Sequence, residues 1–350
     1  MKEIKTQDAV GHIISHDITR IIPGGEKNVA FKKGHVVREE DVAELLKLGK
    51  AHLYVWENDE TKLHENEAAV FLADLVCGPV AAGFEGAGDF LRGEVKEGKI
   101  EIFAGRSGLL RTDRAVLAAL NGFDEVMVAT RHDLVPVRGG DKLAGTRIIP
   151  LAISKERLNE VEMAAGAAGG VALSILPYLN KRAGIVTTGS EVFEGLIQDG
   201  FTPVVREKAE EFGAEIVSHL TVPDNPDMTT AAIKRIFDEG AEVIFVTGGM
   251  SVDPDDRTPL AIKDTGAEII SYGAPVLPGA MFMVAYLGET VVLGLPGCVM
   301  HSKRTILDII LPRVMAGLRI TKDDINALSA GGLCLSCEHC IFPACGFGAV

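Results

Sequence analysis

The stretch AEVIFVTGGMSVDPDD, residues 241–256, runs from an unbroken apolar segment straight into two glycines, a serine and three aspartates. A short apolar run of this kind reads as a strand buried on both faces, and the Gly-Gly that follows marks a loop at its C-terminal end. Such a loop is a cheap turn on any surface when it stands alone. Its neighbours give it meaning. AGIVTTGSE (183–191) is a strand opening into a similar loop, and TVVLGLPG (290–297) is a third.

Between these strands lie helical segments. TPVVREKAEEFG (202–213) and NPDMTTAAIKRIFDEG (225–240) carry proline in the first turn and glycine at the end, and TPLAIKDTG (258–266) is a shorter helix. EIVSHLTV (215–222), AEIISYGA (267–274) and MFMVAYLG (281–288) read as further strands, and SKRTILDIILPRVMAGL (302–318) as a closing helix. Strand alternating with helix predicts an α/β fold with a mostly parallel sheet covered on both faces.

Upstream the pattern differs. Residues 1–75 read as a small α+β module with a capped helix at REEDVAELLKLG, residues 76–158 as a mainly β module with one helix near TDRAVLAALNG, and residues 159–182 as a helical linker. The α/β domain takes 183–320, and a Cys-rich tail takes 321–350.

The composition of the 350 residues, 47% hydrophobic and 24% charged, fits a globular chain with a real core. The balance of 35 basic against 49 acidic residues, net −14, disfavours a nucleic-acid partner, which needs a positive footprint. The N-terminal MKEIKTQDAVGHII lacks an apolar signal segment, and the longest apolar run is interrupted by Glu289 short of the roughly 18 residues of a membrane helix. The expectation is a cytoplasmic protein without a membrane partner.

In an open α/β sheet, ligands bind beyond the C-terminal strand ends. VTTGSEVFEG, VTGGMSVDPDD and GLPGCVMHSK would therefore share one edge. Glycines let the backbone approach a ligand and expose its amides, and Thr187, Thr188, Ser190, Thr247 and Ser251 add hydroxyls, which together describe an anion cradle. The carboxylates of Glu191, Asp224, Asp253, Asp255 and Asp256 suit Mg²⁺, an oxygen-seeking cation that bridges to phosphate. Dinucleotide-binding, P-loop and Gly-x-Ser-x-Gly patterns are absent from the sequence.

TTGSE, TGGMSVDPDD, LPGAMF and GLPG, in this order, resemble the molybdopterin-binding domain of molybdopterin adenylyltransferases, molybdopterin molybdotransferases and competence-damage-inducible proteins. The resemblance spans about residues 180–318 and, through the extra N-terminal modules, leans toward the molybdotransferases. It implies molybdopterin as ligand, cradled by Thr188, Gly189 and Ser190, by Thr247, Gly248, Gly249 and Ser251, and by Pro278, Gly279, Pro296 and Gly297. Asp256 would hold Mg²⁺, with Glu191 and Asp253 beside it as catalytic carboxylates.

The implied activity is that of a transferase in molybdenum cofactor biosynthesis that inserts molybdate into molybdopterin or its adenylated form. Adenylyl transfer, with ATP and AMP as partners, and a non-catalytic carrier or sensor are the alternatives. A homodimer and a recipient molybdoenzyme also follow from the resemblance. The chain departs from the family at Ser190, where an Asp is usual, at Ala280, where a Lys is usual, and at Cys298 and Val299, where Asn-Pro is usual.

The tail CLSCEHCIFPACGFG places Cys334, Cys337, Cys340 and Cys345 in C-x2-C-x2-C-x4-C spacing. Four thiolates so spaced suit tetrahedral zinc or an iron–sulfur cluster, and spacing does not separate the two. Cys77 and Cys298 stand apart and read as small buried hydrophobes.

Overall fold

The computed structural model describes residues 2–20, 28–55, 59–78, 88–251 and 256–349. The chain forms two compact units. The first comprises Met1–Arg106, Asp113–Arg131 and Gly139–Ser174, and the second Ser107–Thr112, His132–Arg138 and Ile175–Val350.

In the first unit, strand Lys2–Lys5 pairs antiparallel with His52–Val55, beside helix Asp41–Lys47. A small core of Ile14, Ile18, Phe31, Val37, Leu45 and Leu53 lies among these elements. A second, four-stranded antiparallel sheet runs in the order Phe90–Arg92, Lys99–Ala104, Lys142–Ile148, Val126–Thr130. Helix Glu65–Cys77 packs on this sheet, and the sequence reading did not anticipate it. Its start is fixed by His64, whose ring accepts the Asn66 amide while Glu67 reaches back to the His64 amide.

The second unit holds the glycine loops. Its strands are β1 (Arg182–Thr188), β2 (Glu215–Val222), β3 (Val243–Thr247), β4 (Glu268–Tyr272), β5 (Met283–Leu287) and β6 (Thr290–Leu295). They form one sheet in the order β2-β1-β3-β6-β5-β4. The pairs β2-β1, β1-β3 and β3-β6 are parallel, and β6-β5 and β5-β4 are antiparallel. The α/β fold read from the alternating pattern is the fold observed. Its antiparallel edge follows from the two-residue connection Gly288-Glu289 between β5 and β6, too short for a crossover helix.

The helices that cover the sheet are α1 (Phe201–Glu211), α2 (Pro226–Asp238), α3 (Thr258–Asp264), α4 (Ile306–Met315) and α5 (Lys322–Ala327). Successive residues of each strand point to opposite faces. Ile185, Phe245, Leu293 and Val284 therefore join α1 and α4 in one core, while Val186, Ile244, Val292 and Ala285 join α2 and α3 in the other. Covering both faces explains why these strands read as continuous apolar runs.

Every residue of α4 is buried, including Asp308. Asp308 closes the helix start by accepting from the Thr305 amide at 2.8 Å, and it pairs with Lys208 of α1 and with Arg304. Among the described residues, no helix is long and apolar enough to cross a membrane.

Close packing of α2 on β1 makes Gly184 irreplaceable, because a Cβ there would lie 2.2 Å from Cγ2 of Ile236. Gly184→Ala is expected to lower stability by roughly 1–3 kcal/mol, read as a reduced urea midpoint. Gly145→Ala, at a strand position with nothing within 4 Å of the added carbon, is the comparison and should move the midpoint far less.

Candidate functional site

Register decides where the loops end. Thr187 stands opposite Thr221 on one side and Thr247 on the other, and Thr247 stands opposite Leu295. The antiparallel partners return to the same line, since Met283 at the start of β5 faces Gly294 and Tyr272 at the end of β4 faces Met283. The loops after β1, β3 and β6 and the segment entering β5 therefore leave from one edge of the sheet.

At this edge the first two loops interlock. The Thr188 hydroxyl donates to the Thr247 carbonyl at 3.0 Å. Gly248 has φ +86°, and a Cβ on it would sit 2.4 Å from the Thr188 carbonyl oxygen. Gly249, at φ +55°, would bring a Cβ to 2.7 Å from the Thr258 hydroxyl. Both glycines are thus required by backbone conformation and by lack of space. The Thr247 hydroxyl is fully buried and has no hydrogen-bond partner among the described residues, a rare condition for a buried polar group.

The first loop is held from the side by Asp224. Its carboxylate accepts the Ser190 amide at 2.8 Å, and its own amide donates to the Ser190 hydroxyl at 3.1 Å. A narrow crevice is walled by Thr188, Gly249, Thr258 and Arg257 together with Asp224, Asn225 and the N-terminal Pro226 of α2. Asn225 caps that helix by accepting the Met228 amide.

Of the residues expected at the site, the structure brings Thr188, Gly189, Ser190, Thr247, Gly248 and Gly249 together. Ser251 follows on the exposed part of the loop, where its amide donates to the Asp256 carboxylate at 2.9 Å. Asp253 lies outside the described residues. Glu191 is exposed on the short helical turn Ser190–Phe193 and is not part of the crevice wall. Pro296 and Gly297 lead out of β6 at the same edge. Pro278 and Gly279 enter β5, with Gly279 so close to α4 that a Cβ would meet Ile306 at 2.5 Å.

Thr258, Asn225, Arg257 and Tyr272 were not singled out in the sequence. Tyr272 donates its hydroxyl to the Met250 carbonyl at 3.2 Å, and burial together with the charge of Asp256 raises its pKa. A run of Thr-Pro or Asn-Pro at a helix start was the available signal for Thr258 and Asn225.

On the α1 side of the edge, the Thr187 hydroxyl meets Asp199 at 3.2 Å, Thr202 at 3.0 Å and His219 at 3.1 Å. Burial would raise the Asp199 pKa, but donors from Thr202, Phe201 and Thr187 outweigh it and hold the carboxyl below its usual range. His219 is lowered by burial; the Asp199 charge opposes this and that of Arg206 adds to it.

Among the described residues, no group of three or more His, Cys, Asp or Glu is arranged to hold a metal ion. The zinc or iron–sulfur centre expected at the tail finds no support, since its four cysteines are described and are not gathered to hold a metal. Cys337 and Cys340 are instead exposed, while Cys334 and Cys345 are partly buried and pack against the core around α4. A ready-made magnesium site is likewise missing around Asp256 among the described residues.

The resemblance drawn from the loops is borne out for this segment: residues 184–316 match the family model described as a probable molybdopterin binding domain. Residues 3–57 match a domain of unknown function (DUF8806). The chain is 26% identical over 178 residues to a molybdopterin molybdenumtransferase of Synechococcus elongatus, covering 48% of this chain and 44% of that protein. It is 36% identical over 94 residues to a CinA-like protein of Mycobacterium avium, covering 26% of this chain and 21% of that one. The chain thus spans less than half the length of these curated relatives. A solved structure, the molybdopterin biosynthesis enzyme MoaB of Thermus thermophilus, is 24% identical, covers 39% of this chain and 97% of its own, and gives a TM-score of 0.32.

Two outcomes follow from the edge geometry. Gly248→Ala should cost more stability than Gly288→Ala, because both have positive φ but only Gly248 has backbone 2.4 Å from the new carbon. The excess, about 1–3 kcal/mol, is measured by denaturant unfolding. For His219 the neutral ring is the native form, so its contribution is complete above pH 6.5 and is lost as the pH falls from there through its native pKa. Thermal midpoints recorded from pH 8 to 5 should fall less steeply in His219→Gln.

Proposed function

We propose that the glycine-loop edge binds molybdopterin and that the chain is a transferase of molybdenum cofactor biosynthesis. Its reaction would be Mg²⁺-dependent insertion of molybdate into molybdopterin or its adenylated form. The observation that carries this reading is the interlocked pair of loops at Thr188 and Gly248, in a segment that matches a molybdopterin-binding domain.

In this reading, Thr188, Gly189, Ser190, Thr247, Gly248, Gly249 and Ser251 form the seat of the pterin phosphate and oxyanions, its shape held by the Gly189, Ser190 and Ser251 amides bonded to Val222, Asp224 and Asp256. Pro278, Gly279, Pro296 and Gly297 would shape the rest of the rim.

Of the proposed carboxylates, Asp256 has one oxygen anchored by the Ser251 amide. A single anchored carboxylate beside substrate phosphate fits Mg²⁺, which commonly keeps its waters and takes one or two protein oxygens. When bound, the ion would neutralise charge on the phosphate and on the incoming oxyanion. Glu191 and Asp253 remain proposed catalytic partners, and the cytoplasm, a homodimer and delivery to a molybdoenzyme belong to the same proposal.

A carrier or sensor role is the second reading. It is favoured by Ala280, which leaves the segment entering β5 without the charged side chain usual in the family. Adenylyl transfer would instead consume ATP and release pyrophosphate.

Titration of the anaerobically purified chain with molybdopterin, followed by pterin fluorescence, tests the ligand. Saturable binding that weakens about tenfold in Asp256→Asn with Mg²⁺ present is the expected outcome. Absence of binding in both proteins would overturn the reading. Turnover with molybdate then separates the transferase from the carrier.

A further inference from the structure

The C-terminal segment is a folded part of the α/β unit, and its two ends are clamped together. Leu277 donates its amide to the Gly332 carbonyl and accepts the Cys334 amide, each at 2.8 Å, so the segment begins stitched to the chain that enters β5. Near its other end the Gly348 amide donates to the Gly331 carbonyl at 2.9 Å, and Phe347 is buried in the core around α4. The residues between are therefore held as a loop on a fixed base.

This loop and the turn before α4 line a cavity of about 610 Å³. Sites for small organic molecules span about 300–1,000 Å³ and are mostly apolar, with a few polar groups that fix orientation. The cavity has that make-up. Leu333, Leu335, Ile341 and Phe342 supply apolar wall, and Lys303 and Arg304 stand against one acid, Glu338. Leu333, Leu335 and Ile341 are 63%, 79% and 58% exposed. Single apolar side chains in water are ordinary, but three around one opening form the kind of patch that marks a binding site.

The charges select the sign of the ligand. Asp308 is shared by Lys208 and Arg304, two cations on one carboxylate, so the group keeps a net positive charge. Arg304 brings that charge to the cavity wall, where it lies over the Phe342 ring at 5.0 Å. Lys303 donates to the Glu338 backbone carbonyl at 3.1 Å, a neutral acceptor that leaves its charge in place. The wall is thus positive in a chain whose net charge is −14.

We propose that this cavity binds a second ligand, a small amphiphilic anion. Its acidic group would meet Arg304 and Lys303 while its apolar body covers Leu333, Leu335 and Ile341. Among the described residues the cavity shares no wall residue with the crevice of the glycine loops, and of the residues assigned to molybdopterin only Pro278 touches it. The proposal therefore stands apart from the molybdopterin reading, and failure to bind molybdopterin would leave it intact.

The test titrates the full chain with 8-anilinonaphthalene-1-sulfonate, an aromatic sulfonate whose fluorescence rises in apolar surroundings. Saturable binding at one site per chain is expected, with N-phenyl-1-naphthylamine, the same rings without the sulfonate, about tenfold weaker. Octanoate should displace the sulfonate and octanol should not. Leu335→Asp, at an exposed position that the core does not need, should weaken binding about tenfold, and Lys303→Gln about threefold. Val171→Asp, also exposed but in the first unit, should leave it unchanged. Equal binding of the uncharged amine, unaltered binding in Leu335→Asp, or displacement of the sulfonate by molybdopterin would overturn the proposal.

Discussion

Parallel hydrogen bonding among β2, β1, β3 and β6 is the constraint from which the other features follow. Because Thr187, Thr221, Thr247 and Leu295 share one level, each strand must hand its chain to a loop at the same edge. The loops then meet whether or not their side chains attract one another. Glycine at 248 and 249 lets them meet closely, since any side chain would drive into Thr188 or Thr258. The site is therefore a product of sheet topology first and of side-chain chemistry second.

Much of this was legible in the sequence. Apolar runs ending in Gly-rich loops fixed the strands, Pro and Gly bracketed the helices, and the order of the loops pointed to the family. What stayed hidden depends on contacts between distant positions. Ser190 and Asp224 hold each other across 34 residues, and neither sequence neighbourhood announces the other. Thr258 belongs to the site only because Gly249 lies on it. Helix Glu65–Cys77 was overlooked because its apolar residues crowd most of its circumference, and periodicity is then a weak guide. The zinc or iron–sulfur reading of the tail went unsupported for a related reason: spacing along the chain says which thiols are near in sequence, and says nothing of how the fold gathers them.

Helix α4 connects the two ends of this unit. It is buried along its whole length and carries a carboxylate, Asp308, that must be compensated. Lys208 does so from α1, and Arg304 does so from the turn that precedes the helix. Arg304 also lies over the Phe342 ring, so the groups that compensate one buried charge also touch the cysteine segment. The order of the C-terminal residues is in this way tied to the same packing that supports β6 and its loop.

The reciprocal hydrogen bonds between Ser190 and Asp224 bear on how kinship is inferred from single positions. Ser190 stands where the family resemblance leads one to expect aspartate, and taken alone that exchange looks like a lost function. In place, the serine hydroxyl accepts an amide from a residue whose carboxylate already occupies the space beside it. An aspartate at 190 would set two anions against each other. The two positions act as one unit in this fold, so an aspartate introduced at 190 without a change at 224 would import a conflict rather than an activity.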